Sequence, residues 1–592
     1  MTVETEMPAT ATPLWFGPPS RPLFGWIHAP ADAKACGAVV LCPPVGRDRS
    51  GAHSTLRLLA EELAASGFVA VRFDYDGTGD SAGGERDPRR VESWLDSVVH
   101  AADLARRCGD LPVSLVGMRL GALLAALAAS RVGNVRNLVL WDPYPSGRAF
   151  VRHQVALQRV RLDSPPQTER GVELPGYELD AATVRDLSAL TMPDLASAAE
   201  RVLLLERPGA AGSQDLREAC LASGGELGTA EGQDQLLDVE FLHQVIPAAT
   251  VTAIARWLGQ EHGPVSVPLH PAVLRRGGEG TLGARFHEHG GTVHERVVEL
   301  GPARLFGIES ECSPLADAPT IVMLNPGSDW HAGPNRLWVT LARRWAAIGF
   351  RCVRFDWSGL GDSPTRPGCE RHVVRAPEAF DDLDDVVRSV CEHDANGVVL
   401  VGLCSGAYQA LEHGLSASPR AIYAVNPILH FRPPEVAAGG RLHPRRRLCR
   451  VAGPSVDLYR RLPARGLRQA LRGPLWRLLQ SLDRRASSGS WVDELIEKGV
   501  HVLAIGGVDE LRPITEALRL GTVAPAPGTS AGTIQIEVEP GLDHGLMVAA
   551  QRHRVCDRLT ADLVDNFVAL RQGARPVRRA AVPSAPLGLP SA

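Results

Sequence analysis

The sequence predicts an α/β fold with two tandem domains, each a mostly parallel sheet flanked by helices and carrying a helical cap insertion. The chain has 592 residues, which is too many for one compact domain. A ten-residue segment beginning at Arg72 recurs at Arg354, 282 residues later. Short apolar runs also alternate with segments of helical periodicity, which is typical of a parallel sheet covered on both faces.

The repeat defines the predicted domain organisation. RFDYDGTGDS at 72–81 recurs as RFDWSGLGDS at 354–363, and the same offset superposes Pro44 on Pro326. We therefore interpret the chain as an internal duplication. The predicted parts are a first domain at 1–262 with a cap at about 145–198, a linker at 263–290, a second domain at 291–572 with a cap at about 430–490, and a disordered tail at 573–592.

The elements of the second half follow in order along the chain. Apolar runs at 320–324, 351–355 and 397–401 predict strands, and helical periodicity at 337–348, 380–390 and 407–415 predicts helices. Parallel sheets of this kind bind ligands beyond the carboxyl ends of their strands. The motifs with chemical potential lie at those ends.

Composition excludes several classes of function. The net charge of −4 does not favour a nucleic-acid partner. The longest apolar run, Leu120–Ala129, is shorter than the roughly 20 residues that a membrane helix needs. The acidic N-terminus lacks a secretory signal, and the 11 cysteines include no CxxC pair. We expect a cytoplasmic protein with reduced thiols and with no metal or cofactor.

Gly402-Leu403-Cys404-Ser405-Gly406 follows a predicted strand and precedes a helix. This pattern predicts a nucleophile elbow, in which flanking glycines permit a strained turn that lifts the central side chain into the cleft. Cys404 is the predicted nucleophile, since the helix N-terminus favours its thiolate. Ser405 is the alternative, although it lies one residue beyond the apex.

The partners of Cys404 are predicted in the order nucleophile, acid, histidine. Asp509 follows the strand at 501–505, and His544 follows the strand at 533–537. We expect His544 to accept the thiol proton and Asp509 to orient the imidazole. Asp543 is an alternative acid, but it is adjacent to the histidine and therefore poorly placed to bind its ring.

The loop after the first strand of this half supplies the predicted oxyanion hole. The backbone N–H of Ser405 is expected to act with one from this loop, which contains Gly327 and Ser328. His331 lies in the same region, and we expect it to line the cleft or the surface.

These motifs resemble those of the α/β-hydrolase superfamily, over nearly all of both halves. The RFDYxGxGDS and RFDWxGxGDS segments with the elbow resemble the small hydrolases associated with exosortase and exopolysaccharide loci. The resemblance implies the α/β-hydrolase fold and thioesterase or acyltransferase activity on activated acyl groups, often in natural-product pathways. Cysteine replaces the common serine, as in dienelactone hydrolases and some acyl-transferring thioesterases.

The first half is predicted to lack catalysis. Its elbow, Gly117–Gly121, places Arg119 at the apex, and a guanidinium stays protonated and cannot be a nucleophile. The position that matches Asp509 is Gly209. We expect this half to serve as a packing partner. The alternative is that Arg119 binds an anion such as a carboxylate or phosphate.

The predicted second cap is strongly basic. Between Arg432 and Arg485 the sequence has 14 arginines and three acids. A solvated amphipathic cap explains this pattern, and so does a dock for an anionic acyl carrier protein or for coenzyme A; RNA or an anionic membrane would also be attracted. The candidate docking residues are Arg445, Arg446, Arg447, Arg460 and Arg461.

The leading hypothesis is a Cys-His-Asp enzyme of the second half that hydrolyses or transfers an acyl group from an ester or thioester, with a small-molecule acyl substrate. One alternative is a non-catalytic tandem scaffold that recruits a partner. Another is a cyclase or lyase of the same fold that uses His544 as a base.

Overall fold

The fold is that of a computed structural model. The residues that it describes are 10–162, 167–168, 171–209, 213–239, 244–260, 266–270, 282–374, 378–392, 394–428, 490–508, 510–512, 514 and 532–568. Among these residues, no helix combines the length and the hydropathy that crossing a bilayer requires.

The first half is built on an eight-stranded sheet of order β1-β2-β5-β4-β6-β7-β11-β12, which is parallel from β5 to β12. Its strands are β1 Thr10–Phe16, β2 Leu23–Ala29, β4 Gly37–Cys42, β5 Phe68–Phe73, β6 Val113–Met118, β7 Val135–Trp141, β11 Arg201–Glu206 and β12 Glu226–Thr229. Short strands are β3 Lys34–Ala35, β8 Gln167–Thr168, β9 Gly171–Leu174, β10 Tyr177–Asp180 and β13 Val267–Pro268. Helices are α1 Arg47–Ala65, α2 Arg90–Arg107, α3 Leu120–Val132, α4 Gly147–Arg161, α5 Ala181–Ala189, α6 Leu195–Ala198, α7 Gln214–Ala222, α8 Gln233–Leu237 and α9 Ala248–Gly259.

The second half is built on a nine-stranded sheet of order β14-β15-β16-β18-β17-β19-β20-β21-β22, parallel from β18 to β22. Its strands are β14 Gly283–Glu288, β15 Gly291–Leu300, β16 Leu305–Glu311, β17 Thr320–Leu324, β18 Cys352–Phe355, β19 Val398–Leu403, β20 Ala421–Val425, β21 His501–Gly506 and β22 Ile534–Val538. Helices are α10 Leu337–Ile348, α11 Ala379–Cys391, α12 Ser405–Ser416, α13 Ser490–Glu497 and α14 Ala549–Phe567, with a 3₁₀ turn at Pro334–Arg336.

The predicted fold class is confirmed. Both sheets are mostly parallel and flanked by helices, because their central strands are fully buried apolar runs such as VVLVGL in β19. Eight strands of each sheet follow the same order, and the second sheet adds β14 at one edge. These two sheet-bearing regions fit two domains. The duplication and the domain boundaries stay interpretations, and the second cap lies outside the described residues.

The repeated RFD and GDS motifs build a turn in each half. The Asp74 carboxylate accepts a hydrogen bond from the Asp80 N–H at 3.1 Å, and Asp356 accepts from the Asp362 N–H at 2.8 Å. Gly79 lies between the first pair with φ +48°, and a Cβ there would collide with the Asp74 carboxylate. The motif is therefore a structural element that begins at the end of β5 and of β18.

These turns also join the two halves reciprocally. Arg354 of the second half binds Asp80 of the first. Arg72 of the first half binds Asp362 of the second at 2.7 Å. Each partner is the repeat equivalent of the other, so the contact has the self-complementary pattern of a two-fold interface. All four side chains are buried.

The expectation that His331 lines the cleft or the surface is wrong. The side chain is buried between the halves, with Nε2 2.7 Å from Asp80 and Nδ1 2.8 Å from Asp356. Both ring nitrogens therefore face carboxylates, an arrangement that suits a doubly protonated imidazolium. A contact to Asp80, which is 251 residues away, could not be recognised from local sequence.

This histidine gives the stability a pH dependence. Burial by itself lowers the pKa of His331, but Asp356 and Asp80 outweigh burial and raise the pKa from 6.5 to about 10. The stabilisation is therefore complete below pH 6.5 and is lost as the pH rises toward 10. We expect a loss of about 3–5 kcal/mol of unfolding free energy, measured by denaturant titration. His331→Gln should remove this part of the dependence of unfolding free energy on pH. The same pH dependence in the variant and the wild type would contradict the assignment.

Candidate active site

The predicted elbow lies between β19 and α12. Cys404 has φ 58° and ψ −117°, a left-handed conformation that a side chain other than glycine adopts only under strain. Its N–H donates to the Val425 carbonyl at 2.9 Å, which fixes the turn against the end of β20. The thiol is thus held at the carboxyl edge of the sheet, at the N-terminus of a helix.

The two glycines of the elbow permit this turn. A Cβ on Gly402 would collide with the backbone of Gly406 and Ala407, and a Cβ on Gly406 would collide with the Leu324 carbonyl oxygen. The backbones approach too closely for any larger residue. The small-residue spacing in the sequence thus has a direct steric cause.

His544 lies beside the elbow, between a thiol and a carboxylate. A hydrogen bond with the Cys404 side chain is the main cause that raises the pKa of His544 above its ordinary value, and Glu510 adds to it. Nδ1 of His544 lies 3.5 Å from Oε1 of Glu510. The imidazole is 44% exposed. A base that contacts a thiol on one side and an acid on the other can remove the thiol proton.

The acid next to the histidine was not selected from the sequence. Asp509 lies outside the described residues, so its predicted role stays a prediction. The adjacent Glu510 is the carboxylate that the structure places near His544. Glu510 lies one residue after the predicted acid, in the loop that follows β21. The alternative acid, Asp543, accepts instead from the N–H groups of Met547 and Val548, at 2.7 and 3.0 Å.

Asn426 is a site residue that sequence reasoning missed. It is buried at the end of β20, and its Nδ2 donates to the carbonyls of Asp543 and His544 at 3.1 and 3.0 Å. Its Oδ1 accepts from the Gly507 N–H at 3.3 Å. The side chain thus links the loop after β21 to the loop that contains His544. The available signal in the sequence was an asparagine directly after the apolar run at 421–425, and the structure gives this residue a φ of 43°.

The predicted oxyanion residues Ser405 and Gly327 lie together. The Gly327 N–H donates to Oγ of Ser405 at 2.9 Å. Ser405 is the first residue of α12, whose N–H has no acceptor within the helix. Ser328 is half-buried in the same loop. The oxyanion role of these three residues stays a prediction.

A small, partly open cleft adjoins Gly327 and Ser405. Gln409 lines it, and the buried Oε1 of this side chain has no hydrogen-bond partner among the described residues. The other lining residues are Trp357, Ser358, Leu360, Cys369, Glu370, Val373, Glu378, Ala379 and Asp382. The cleft lies beside the elbow, where Ser405 is one of its lining residues.

The first half repeats the elbow around Arg119. This residue has φ 57° and ψ −122°, and its N–H donates to the Trp141 carbonyl at 2.9 Å. Its guanidinium donates to Asp142 at 2.9 Å, to Tyr144 at 2.6 Å and to Asp48 at 3.4 Å. Two carboxylates therefore already compensate its charge. The anion-binding role of Arg119 stays a prediction.

The predicted docking residues lie outside the described residues. They are Arg445, Arg446, Arg447, Arg460 and Arg461.

Part of the second half matches a known protein family. A sequence model described as the alpha/beta hydrolase family matches residues 321–558. The chain is similar to Est1E from Butyrivibrio proteoclasticus, at 14% identity over 42% of this chain and 97% of that one, with a TM-score of 0.32. A putative hydrolase from Agrobacterium vitis S4 has 19% identity over 43% of this chain and 100% of its own, with a TM-score of 0.31. No curated protein matches the chain.

Proposed function

We propose that the second half is a cysteine-dependent enzyme that forms an acyl-enzyme from an activated ester or thioester. The observation that carries this proposal is Cys404 at a strained elbow, beside a His544 whose pKa the Cys404 side chain raises. The match of residues 321–558 to the alpha/beta hydrolase family supports acyl chemistry. A thioesterase or acyltransferase role in natural-product biosynthesis, and the resemblance to exosortase-associated hydrolases, belong to this proposal.

The first chemical step transfers the thiol proton of Cys404 to His544. The thiolate then attacks the substrate carbonyl carbon, and the carbonyl electron pair moves onto oxygen. The backbone N–H of Ser405, with the loop of Gly327 and Ser328, would stabilise this oxyanion. Collapse of the intermediate expels the thiol or alcohol, which takes its proton from His544 and leaves a thioester on Cys404.

The second step releases the acyl group. His544 removes a proton from water, or from an amine or alcohol acceptor, and the resulting nucleophile attacks the thioester carbonyl. The Cys404 thiolate leaves and regains its proton from the imidazolium. Water gives hydrolysis and another acceptor gives transfer, so exclusion of water from the closed site decides between them.

The donor of the acyl group is proposed from the sequence alone. The arginine-rich segment 432–485 would favour an acidic carrier, either an acyl carrier protein or coenzyme A.

Intact mass spectrometry of the protein after incubation with small acyl thioesters tests the proposed function. We expect one added acyl group per chain, located on Cys404 by peptide mapping. The absence of any acyl adduct under single-turnover conditions, with a range of chain lengths, would contradict it.

The identity of the acid is a separate prediction. Glu510→Gln should lower kcat/KM by about 100-fold or more, because the imidazole loses the carboxylate beside Nδ1. The pKa on the acidic limb of the pH–rate profile should also fall, since Glu510 raises the pKa of His544. Asp509→Asn is the matched control. A large effect of Asp509→Asn with little effect of Glu510→Gln would contradict the assignment of Glu510 and favour Asp509, the acid predicted from the sequence.

A further inference from the structure

We propose that the first half positions the catalytic histidine of the second half through one β-hairpin. The hairpin consists of β9 and β10, joined by Pro175-Gly176. It lies in the insertion between β7 and β11, and its tip contacts the residues that follow His544. The inference rests on the proposed function, in which His544 is the general base.

Two hydrogen bonds join the hairpin to this loop. The Gly176 N–H donates to the Met547 carbonyl at 3.1 Å. The Glu173 carboxylate accepts from the Ala549 N–H at 2.5 Å. Ala549 begins α14, so its N–H has no acceptor within the helix. Glu173 accepts the hydrogen bond of this N–H group. Its carboxylate also places a negative charge at the helix N-terminus, where the helix dipole favours one.

The loop needs external support because its backbone is strained. Leu546 has φ 53° although it is not glycine. The Asn335 side chain donates to the carbonyls of Gly545 and Leu546, both at 3.2 Å. Gly176 packs directly on Asn335, and a Cβ at this glycine would collide with Oδ1 of Asn335. The hairpin tip therefore contacts Asn335, and Asn335 in turn binds the histidine loop.

The histidine loop is thus held from two sides. Asn426 of the second half binds the carbonyls of Asp543 and His544 on one side. Glu173 and Gly176 of the first half hold the residues after His544 on the other. Glu173 and Gly176 are not placed against Cys404, so both are positioning residues. Displacing an imidazole by about 1 Å can reduce a rate by about 100-fold. This role gives the first half a function at the active site despite Arg119 at its own elbow.

Gly176→Ala tests the contact, with Gly224→Ala as its matched control. Both glycines belong to the first half and have φ of +75° and +76°, but nothing lies within 4 Å of a Cβ at Gly224. The two variants therefore carry equal backbone strain, and only Gly176→Ala disturbs the histidine loop. We expect kcat to fall by about 10- to 100-fold in Gly176→Ala, with KM little changed, and to stay near the wild-type value in Gly224→Ala.

Alkylation of Cys404 by iodoacetamide, followed by mass spectrometry, gives a readout that needs no turnover. His544 assists formation of the reactive thiolate, so we expect alkylation at neutral pH to slow about tenfold in Gly176→Ala only. Glu173→Ala should also slow it, and Glu173→Gln should restore it because the amide keeps an acceptor oxygen for Ala549.

The two readouts separate failure of this inference from failure of the proposed function. Slower alkylation in Gly176→Ala and Glu173→Ala, with normal rates in Gly224→Ala and Glu173→Gln, supports positioning even if no acyl substrate turns over. Equal rates in Gly176→Ala and Gly224→Ala would overturn the inference. Should Gly176→Ala not fold, equal rates in wild type, Glu173→Ala and Glu173→Gln would overturn it as well.

Discussion

Changing Cys404 to alanine is expected to reduce turnover of an activated acyl thioester by at least about 10⁴-fold and to abolish the acyl adduct. The variant keeps the cleft and the oxyanion residues, but it has no sulfur to attack the carbonyl carbon. Steady-state kcat/KM, together with the intact mass of the protein under single-turnover conditions, measures both effects. Thermal unfolding should be little changed, because alanine removes only one atom from the side chain.

Two control variants make this result specific. Cys391 is an exposed thiol at the end of α11, and Cys391→Ala should retain both turnover and labelling. Ser405→Ala should also retain labelling, since the Ser405 hydroxyl accepts a hydrogen bond from Gly327 and Cys404 is the residue that raises the pKa of His544. Normal labelling of Cys404→Ala, or loss of labelling only in Ser405→Ala, would contradict the assignment of the nucleophile.

The fold and the elbow could be predicted because both depend on local patterns. The apolar run at 397–401 is long enough for a buried strand, and β19 is observed at Val398–Leu403. The glycines around Cys404 were informative because steric collision excludes every larger residue at Gly402 and Gly406. Such constraints act on neighbours in the chain, so the sequence reports them directly.

The residues around His544 are brought together by contacts between distant segments. Asn426 and His544 are more than 100 residues apart, and they meet because β20 and β22, which precede them, lie two strands apart in the same sheet. Glu510 is near His544 because of the local course of a loop, which strand prediction does not specify. The contact of Glu173 with Ala549 crosses 376 residues and both halves.

The role of the RFD and GDS repeat also depends on contacts between distant segments. The sequence identified the repeat but not its role, because Asp80 and Asp362 each have a partner within their own half and further partners across the interface. A self-complementary contact follows from the relative placement of two folded sheets. No local pattern around Arg72 or Arg354 encodes that placement.

This interface leads to a large expected effect of a single substitution on stability. The Arg354 side chain is fully buried. It binds Asp80 across the interface, and it binds Glu295 of its own half at 2.6 Å. Removing the guanidinium in Arg354→Met leaves two buried carboxylates without this partner, which costs about 3–5 kcal/mol for a broken buried ion pair. We therefore expect a large drop in the denaturant midpoint.

The matched control for Arg354→Met is Arg296→Met. Arg296 is 55% exposed and pairs with Glu309 at 2.6 Å, so its loss should cost less than about 1 kcal/mol. The reciprocal variant Arg72→Met should resemble Arg354→Met, because it leaves the buried Asp362 without its arginine. If the two buried arginines proved no more costly to replace than Arg296, the reciprocal ion pairs would not be what holds the halves together. The apolar contact between the two halves would then be the main stabilising interaction of the interface. In this contact the ring centroids of Trp26 and Phe306 lie 4.9 Å apart.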